Sequence, residues 1–230
     1  EAQHPVTVDV KSACARYAGR MLTDIKPGCA SPGWMVERLR RAGIRSISPA
    51  VDITNYVMQE LGQPMHAFDA DKLQGGIQVR LAVTGERLVL LDGREVELDE
   101  QTTIIADDRG PIGIAGIMGG ESTAVDENTT NIFFESALFL PEEIAGKPRR
   151  YASHTESAHR FERGVDPAGQ REALEYATQL MSAIAGGKAG PVQDWQEASR
   201  MPSRVGVLVR RARLSRVLGI TPEPDMVATI

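Results

Sequence analysis

The stretch from Val51 to Asp69, VDITNYVMQELGQPMHAFD, constrains the fold most, because it must change conformation in the middle. Its first half carries an uneven helical stripe of apolar residues at Val51, Val57, Met58 and Leu61. Ser48 and Pro49 stand where an N-cap and a first helical residue belong, and Gly62 stands where such a helix stops. The next residues, Gly62-Gln63-Pro64-Met65-His66, are not helical, since Pro64 forces its predecessor toward extended backbone. A short helix therefore hands the chain to an extended segment carrying one imidazole, His66. A lone histidine in such a place more often serves packing than chemistry, so on these grounds it is only a candidate.

Around this stretch the signals divide between strands and helices. Arg16 to Ile25 reads as a strand, and Ser31-Pro32 caps a helix, SPGWMVERLRRAG, with Met35, Val36, Leu39 and Ala42 on its apolar face and Gly43 at its end. Arg38, Arg40 and Arg41 make a small basic patch there, best read as a solvated face. Ile77, Val79 and Leu81 alternate, Asp92-Gly93 marks a hairpin within Leu88 to Leu98, and Ile104-Ile105 pairs with Ile112 and Ile114. Asn131 to Ser136 reads as a buried strand presenting Glu135 among apolar neighbours. Pro141 to Ala152 predicts a short helix with Lys147, Arg149 and Arg150 at its basic end. Asp166-Pro167 predicts the cap of a long amphipathic helix with Leu174, Ala177, Leu180, Met181 and Ile184 on one stripe, ended by Gly186-Gly187. The pattern is that of an α+β fold, a mixed and largely antiparallel sheet with helices packed on it. Residues 1–12 read as a remnant of a preceding segment and 190–200 as a linker.

Composition narrows the function classes. With 230 residues, 42% hydrophobic and 25% charged, the chain is long enough for a sizeable core. A net charge of −5 excludes a general nucleic-acid sponge, so any RNA contact must come from local basic clusters. Cys14 and Cys29 lack metal-type spacing and read as reduced thiols of a cytoplasmic protein. No apolar run approaches a membrane span, and no signal peptide is evident. The start at Glu1 and the helical close suggest a fragment of a longer polypeptide.

The glycine-rich run at 113–120 lacks the Lys-Ser/Thr of a Walker loop. A sharp turn, or close approach of backbone to a small ligand, explains its glycines better. No Ser-His-Asp, Cys-His or metal cluster stands out, which disfavours covalent or metal chemistry. His159, Arg160, Glu162 and Arg163 read as structural ion pairing.

Four motifs in order carry a family resemblance: the 51–69 run, GIAGIMGGESTAV at 113–125, FFESALFLP at 133–141 and HTESAHRFERGVDP at 154–167. Together they resemble the editing region of bacterial phenylalanyl-tRNA synthetase beta subunits, over roughly residues 14 to 195. The resemblance implies a B3/B4-type editing domain at 1–198, followed at 199–230 by a linker and the truncated start of a small helical module. It implies that Glu135 recognises the hydroxyl of a misplaced tyrosine, that Ala115, Gly116, Gly119 and Ser157 line the amino-acid pocket, and that His66 and Thr155 lie near the ester bond. The expected reaction is hydrolysis of mischarged tyrosyl-tRNA(Phe) by a positioned water, with help from the tRNA's own ribose hydroxyl. The other reading is a structural or tRNA-docking module that has lost editing.

The resemblance also implies no metal and no cofactor in this segment, with ATP and magnesium serving aminoacylation in the alpha subunit. The partners implied are tRNA(Phe) and that alpha subunit, in an alpha2beta2 heterotetramer of the cytoplasm with no membrane contact. Two departures stand out. The family pattern after Thr155-Glu156 is Ala-Ser-His where this chain has Ser157-Ala158-His159, and an arginine common near Ser48 is absent.

Overall fold

The computed structural model describes residues 4–9, 12–203 and 205–229. A short strand, β1 (Val6–Val8), is followed by the long β2 (Cys14–Thr23) and two helices, α1 (Gly33–Arg41) and α2 (Pro49–Leu61). Strand β3 (Met65–Asp69) leaves α2 directly. Next come β4 (Ile77–Leu81), a hairpin of β5 (Arg87–Val89) and β6 (Glu95–Glu97), then β7 (Thr103–Asp107), β8 (Gly110–Ile114), β9 (Met118–Gly119) and β10 (Ile132–Phe139). Three short helices, α3 (Pro141–Ile144), α4 (Lys147–Arg150) and α5 (Glu156–Phe161), lead to α6 (Gln170–Ala185). Strands β11 (Lys188–Ala189) and β12 (Gln193–Gln196) then return to the sheet, and α7 (Arg211–Leu218) and α8 (Pro224–Thr229) come last.

The strands form two principal sheets and a separate β5–β6 ribbon. One sheet has the order β1-β4-β7-β8-β9, antiparallel except where β1 lies parallel to β4. The other has the order β11-β2-β10-β3, with β12 also on β2, and is antiparallel throughout. This is the expected α+β class with a largely antiparallel sheet.

Strand β10 is buried at every position, and its two faces serve different cores. Ile132 and Phe134 face a layer of helices, among Leu22, Met35, Leu39, Ile53, Val57, Leu174, Ala177 and Met181. Phe133 and Ala137 face the first sheet, among Tyr17, Phe68, Ile104, Ile105, Ile112 and Ile114. Each such apolar side chain stabilises the fold by roughly 1.5–3 kcal/mol when fully buried. Glu135 shares the second face by strand alternation, so the fold carries a carboxyl into the space between two sheets.

The bend after α2 forms as its residues require. Gly62 takes φ 73° and its N–H reaches the carbonyl of Met58 at 3.0 Å, closing the helix before Pro64. Gln63, 2% exposed, then donates to the carbonyls of Pro64 and Ala137 at 2.9 Å each, which ties the bend to β10.

Several local expectations change. The buried face of α2 is Ala50, Ile53, Tyr56, Val57 and Met58, because helices and sheet cover it on more than one side, and Leu61 is exposed. Neither Ser31 nor Ser48 caps a helix with its hydroxyl; Ser31 and Ser46 instead donate to the buried carboxylate of Asp52, at 2.5 Å each. The expected helix over 141–152 is two single turns parted by Gly146 at φ 82°. Helix α6 starts at Gln170, since Asp166 spends its carboxylate on the N–H of Ala168 in a preceding turn. Residues 193–196 are a strand rather than linker, and residues 6–8 pair with β4 as part of the fold. Helices α7 and α8 bury no residue, as expected of a segment too short to fold alone.

Candidate functional site

A cavity of about 380 Å3 opens between the two sheets, and all seven residues singled out from the sequence line it: His66, Ala115, Gly116, Gly119, Glu135, Thr155 and Ser157. Its apolar walls are Phe68, Ile105, Ile114, Phe139 and Phe161. That composition, a few polar groups in an apolar hollow, suits a small amphipathic ligand.

Glu135 on β10 is the direct Cα partner of His66 on β3. Paired residues of antiparallel strands project to the same side, so carboxyl and imidazole share the cavity face. Glu135 is 7% exposed, and its Oε2 accepts a hydrogen bond of 2.8 Å from the hydroxyl of Tyr17 on β2. Burial raises its pKa to about 7, against the opposing pull of the Tyr17 bond.

His66 is half-buried as a residue, yet its Nε2 is closed to solvent and has no partner among the described residues. Its ring stands edge-on to Phe68, centroids 4.5 Å apart. Burial pushes its pKa down to about 4, which makes it a neutral imidazole and a weak base at neutral pH. Such a group suits holding a water or hydroxyl better than deprotonating one.

The glycine-rich run is the end of β8, a turn and β9. Gly116 makes the turn at φ 70°, and a Cβ there would meet the rings of Phe161 and Phe139 at 3.0 and 3.1 Å. A Cβ on Gly119 would stand 2.5 Å from Cε1 and 2.7 Å from Nε2 of His66. The close approach expected of these glycines is thus to the site's own side chains, and Gly119 gives the imidazole its place.

Thr155 and Ser157 fix that turn. The Thr155 hydroxyl donates to the carbonyl of Ile117 at 2.8 Å and accepts from the N–H of Ala158 at 3.0 Å, capping α5. Ser157 donates to the carbonyl of Gly116 at 3.2 Å. The hydroxyl hydrogen of Thr155 is therefore given to backbone.

Further cavity residues escaped the sequence. Thr54 and Asn55 come from α2, Leu91 and Asp92 from the hairpin tip, and Tyr17 stands behind Glu135. Helical position could have flagged Thr54 and Asn55, which lie one turn beyond Val51 on the same face. In the charged run after Thr155 the one ion pair among the described residues joins Arg160 to Glu156 at 2.6 Å, and Arg163 instead donates to the carbonyl of His159. Glu162 accepts from the N–H of Gly146. Among the described residues no group of three or more His, Cys, Asp or Glu could hold a metal, and both cysteines are free. No helix there is long and apolar enough to cross a membrane.

Residues 13–186 match the B3/4 domain family. The chain is 53% identical over 216 residues to the phenylalanine–tRNA ligase beta subunit of Nitrosococcus oceani, covering 94% of this chain and 27% of that protein. It is 52% identical over 215 residues to that of Yersinia pestis, with the same coverage of 94% and 27%. The chain therefore spans a little over a quarter of the length of these relatives. An N-terminal fragment of the phenylalanyl-tRNA synthetase beta-subunit from Pyrococcus horikoshii shares its fold, with a TM-score of 0.53 at 14% identity over 98% of this chain and 62% of that one. Family match, sequence similarity and fold agree: the chain belongs to the B3/4 domain family, in a form similar along nearly its whole length to part of the phenylalanine–tRNA ligase beta subunits.

Proposed function

We propose that this domain is an editing hydrolase that cleaves the ester of tyrosine mischarged onto tRNA(Phe). The observation that carries the reading is Glu135, a buried carboxyl in the wall of a largely apolar cavity of amino-acid size, whose other lining carboxylate, Asp92, is already paired with Arg94 at 2.6 Å. A pocket built for the phenylalanine ring rejects an added hydroxyl weakly, so a synthetase gains from a second site that sorts the opposite way. A tyrosine hydroxyl would find a partner in Glu135, whereas phenylalanine would leave the carboxyl oxygen not held by Tyr17 without a partner, at a cost of about 1–3 kcal/mol, or roughly ten- to a hundredfold.

The nucleophile in this reading is water. The hydroxyls of Thr155 and Ser157 are turned onto backbone carbonyls, which leaves neither poised to attack an ester. Neutral His66, with its Nε2 unpartnered among the described residues, would hold the water or the terminal ribose, and a ribose hydroxyl of the tRNA would assist. The Gly116–Gly119 turn, held by Thr155 and Ser157, would carry the aminoacyl group against backbone. Recognition of tRNA(Phe), assembly with an alpha subunit as an alpha2beta2 heterotetramer, and work in the cytoplasm belong to the same proposal. The donor set here does not fit ATP and magnesium, since the described residues lack a ligand cluster and the glycine-rich turn lacks a phosphate-loop lysine. Aminoacylation is assigned to the rest of the synthetase.

The test is deacylation of tyrosyl-tRNA(Phe) by this chain, by the intact synthetase and by a Glu135→Ala variant of each. Hydrolysis impaired by Glu135→Ala supports a self-contained editing site. Activity in the intact enzyme alone means that other modules must deliver the acceptor end. Silence from both proteins rejects editing and leaves a structural or tRNA-docking role.

A further inference from the structure

We infer that Tyr17 is a specificity-determining positioning residue: it binds one oxygen of Glu135 and so reserves the other for the hydroxyl of the ligand. The inference rests on the editing reading above and adds a residue to it. Tyr17 does not line the cavity. It acts through Glu135, and two phenols, one from the protein and one from the ligand, would share a single carboxyl.

The placement follows from strand register. On β2, Gly19 is the direct partner of Glu135 and Tyr17 is the partner of Ala137, one diagonal step away on the same face. Gly19 makes room for the ring of Phe133, which a Cβ there would meet at 2.2 Å. The Tyr17 ring, 1% exposed, crosses that diagonal and delivers its hydroxyl to Oε2 at 2.8 Å.

A buried carboxyl with no fixed donor would turn either oxygen into the cavity, or withdraw both, and ligand binding would bear the cost of ordering it. Tyr17 removes that freedom beforehand. The other titratable groups facing Glu135 do not substitute for it. Cys14, also on β2, gives its thiol hydrogen to the carbonyl of Arg16 at 3.2 Å, and His66, on β3, has no hydrogen bond to the carboxyl among the described residues. Burial lifts the Tyr17 phenol well above its ordinary range, so it stays a donor at any working pH. Its hydrogen bond also opposes the burial that raises the pKa of Glu135, favouring the ionised acceptor.

The experiment compares wild type, Tyr17→Phe and Glu135→Gln in the full-length beta subunit assembled in its synthetase. Hydrolysis of tyrosyl-tRNA and phenylalanyl-tRNA is followed from pH 6 to 9, with melting measured alongside. Tyr17→Phe is expected to raise KM for tyrosyl-tRNA roughly tenfold, the worth of one hydrogen bond to a charged group, with a smaller change in kcat and none toward phenylalanyl-tRNA. The pH midpoint of tyrosyl-tRNA hydrolysis should also move upward, a shift that a purely structural role would not produce. Wild-type selectivity and midpoint in Tyr17→Phe overturn the inference alone. Failure of the wild-type synthetase to hydrolyse tyrosyl-tRNA overturns the editing reading and this inference with it. A readout without any variant is the phenolic proton of Tyr17, observed by NMR while free tyrosine is added to the wild-type protein. The proton should stay hydrogen-bonded throughout, and its release on tyrosine binding would overturn the inference.

Discussion

Glu135 and His66 face one another across β10 and β3, and burial acts on them in opposite directions. The carboxyl has its pKa raised from 4.5 to about 7, and the imidazole has its pKa lowered from 6.5 to about 4. Both are therefore neutral in the folded protein between about pH 4.5 and 6.5, a range in which both are charged in the unfolded chain.

This pairing predicts a cancellation. Glu135 contributes stability that is fully present below pH 4.5 and lost as pH rises to about 7. His66 contributes stability that is present above pH 6.5 and lost as pH falls to about 4. The two slopes oppose each other where the windows overlap, so each substitution should unmask the other group. Glu135→Gln should gain on the order of 3 kcal/mol of stability between pH 4 and 6.5 relative to wild type. His66→Gln should lose about as much between pH 4.5 and 7. Urea denaturation at a series of pH values reads both. Three parallel curves would mean that the buried pair does not titrate this way.

Gly119→Ala tests what holds the imidazole. The added methyl would stand within 2.7 Å of two ring atoms of His66 and 3.2 Å from Cδ1 of Leu91, so the ring has to leave its place beside Phe68. Overpacking of this kind costs about 1–3 kcal/mol. Ester hydrolysis should fall much further than stability. An unshifted His66 imidazole signal in the NMR spectrum of the variant would contradict this.

What the sequence disclosed, and what it hid, follows the range of each signal. The strand holding Glu135, the Asp92-Gly93 hairpin and the stop at Gly62 were legible because alternation, turn chemistry and capping act within a few residues. The seven cavity residues came from motifs of the family, which mark chemistry regardless of distance along the chain. The Tyr17–Glu135 bond joins positions 118 apart and depends on the register between β2 and β10. No local pattern encodes that register; it is set by burying both faces of two strands at once. Local signals also misled where two candidates competed, as when Asp166-Pro167 proved to be a turn ahead of α6 rather than its cap.

Thr155 separates a contact with substrate from support of the turn. Its hydroxyl both caps α5 and holds the carbonyl of Ile117, and serine can make the same two bonds. Thr155→Ser should keep stability and hydrolysis near wild type. Thr155→Ala should lower stability by about 1–2 kcal/mol through the lost cap, and should loosen the Gly116–Gly119 turn with it. Melting curves and single-turnover hydrolysis of both variants check this. A Thr155→Ala protein of full stability and no activity would instead mean that the hydroxyl meets the substrate directly.

A last substitution should damage the fold and spare the selectivity. Gln63 bonds the carbonyls of Pro64 and Ala137, and its own oxygen accepts from the amide of Gln170 at 3.0 Å, with Gln170 0% exposed at the start of α6. This buried knot joins the end of α2, β10 and α6, yet neither glutamine lines the cavity. Gln63→Ala takes the side-chain donor from the carbonyls of Pro64 and Ala137 and leaves the Gln170 amide only its bond to the carbonyl of Asp166, and each buried group left unsatisfied costs about 1–3 kcal/mol. Denaturation should therefore shift strongly, while the ratio of tyrosyl to phenylalanyl hydrolysis, measured well below the melting temperature, should match wild type. A changed ratio would mean that the bend after α2 positions His66 through this knot, since β3 begins two residues beyond Gln63.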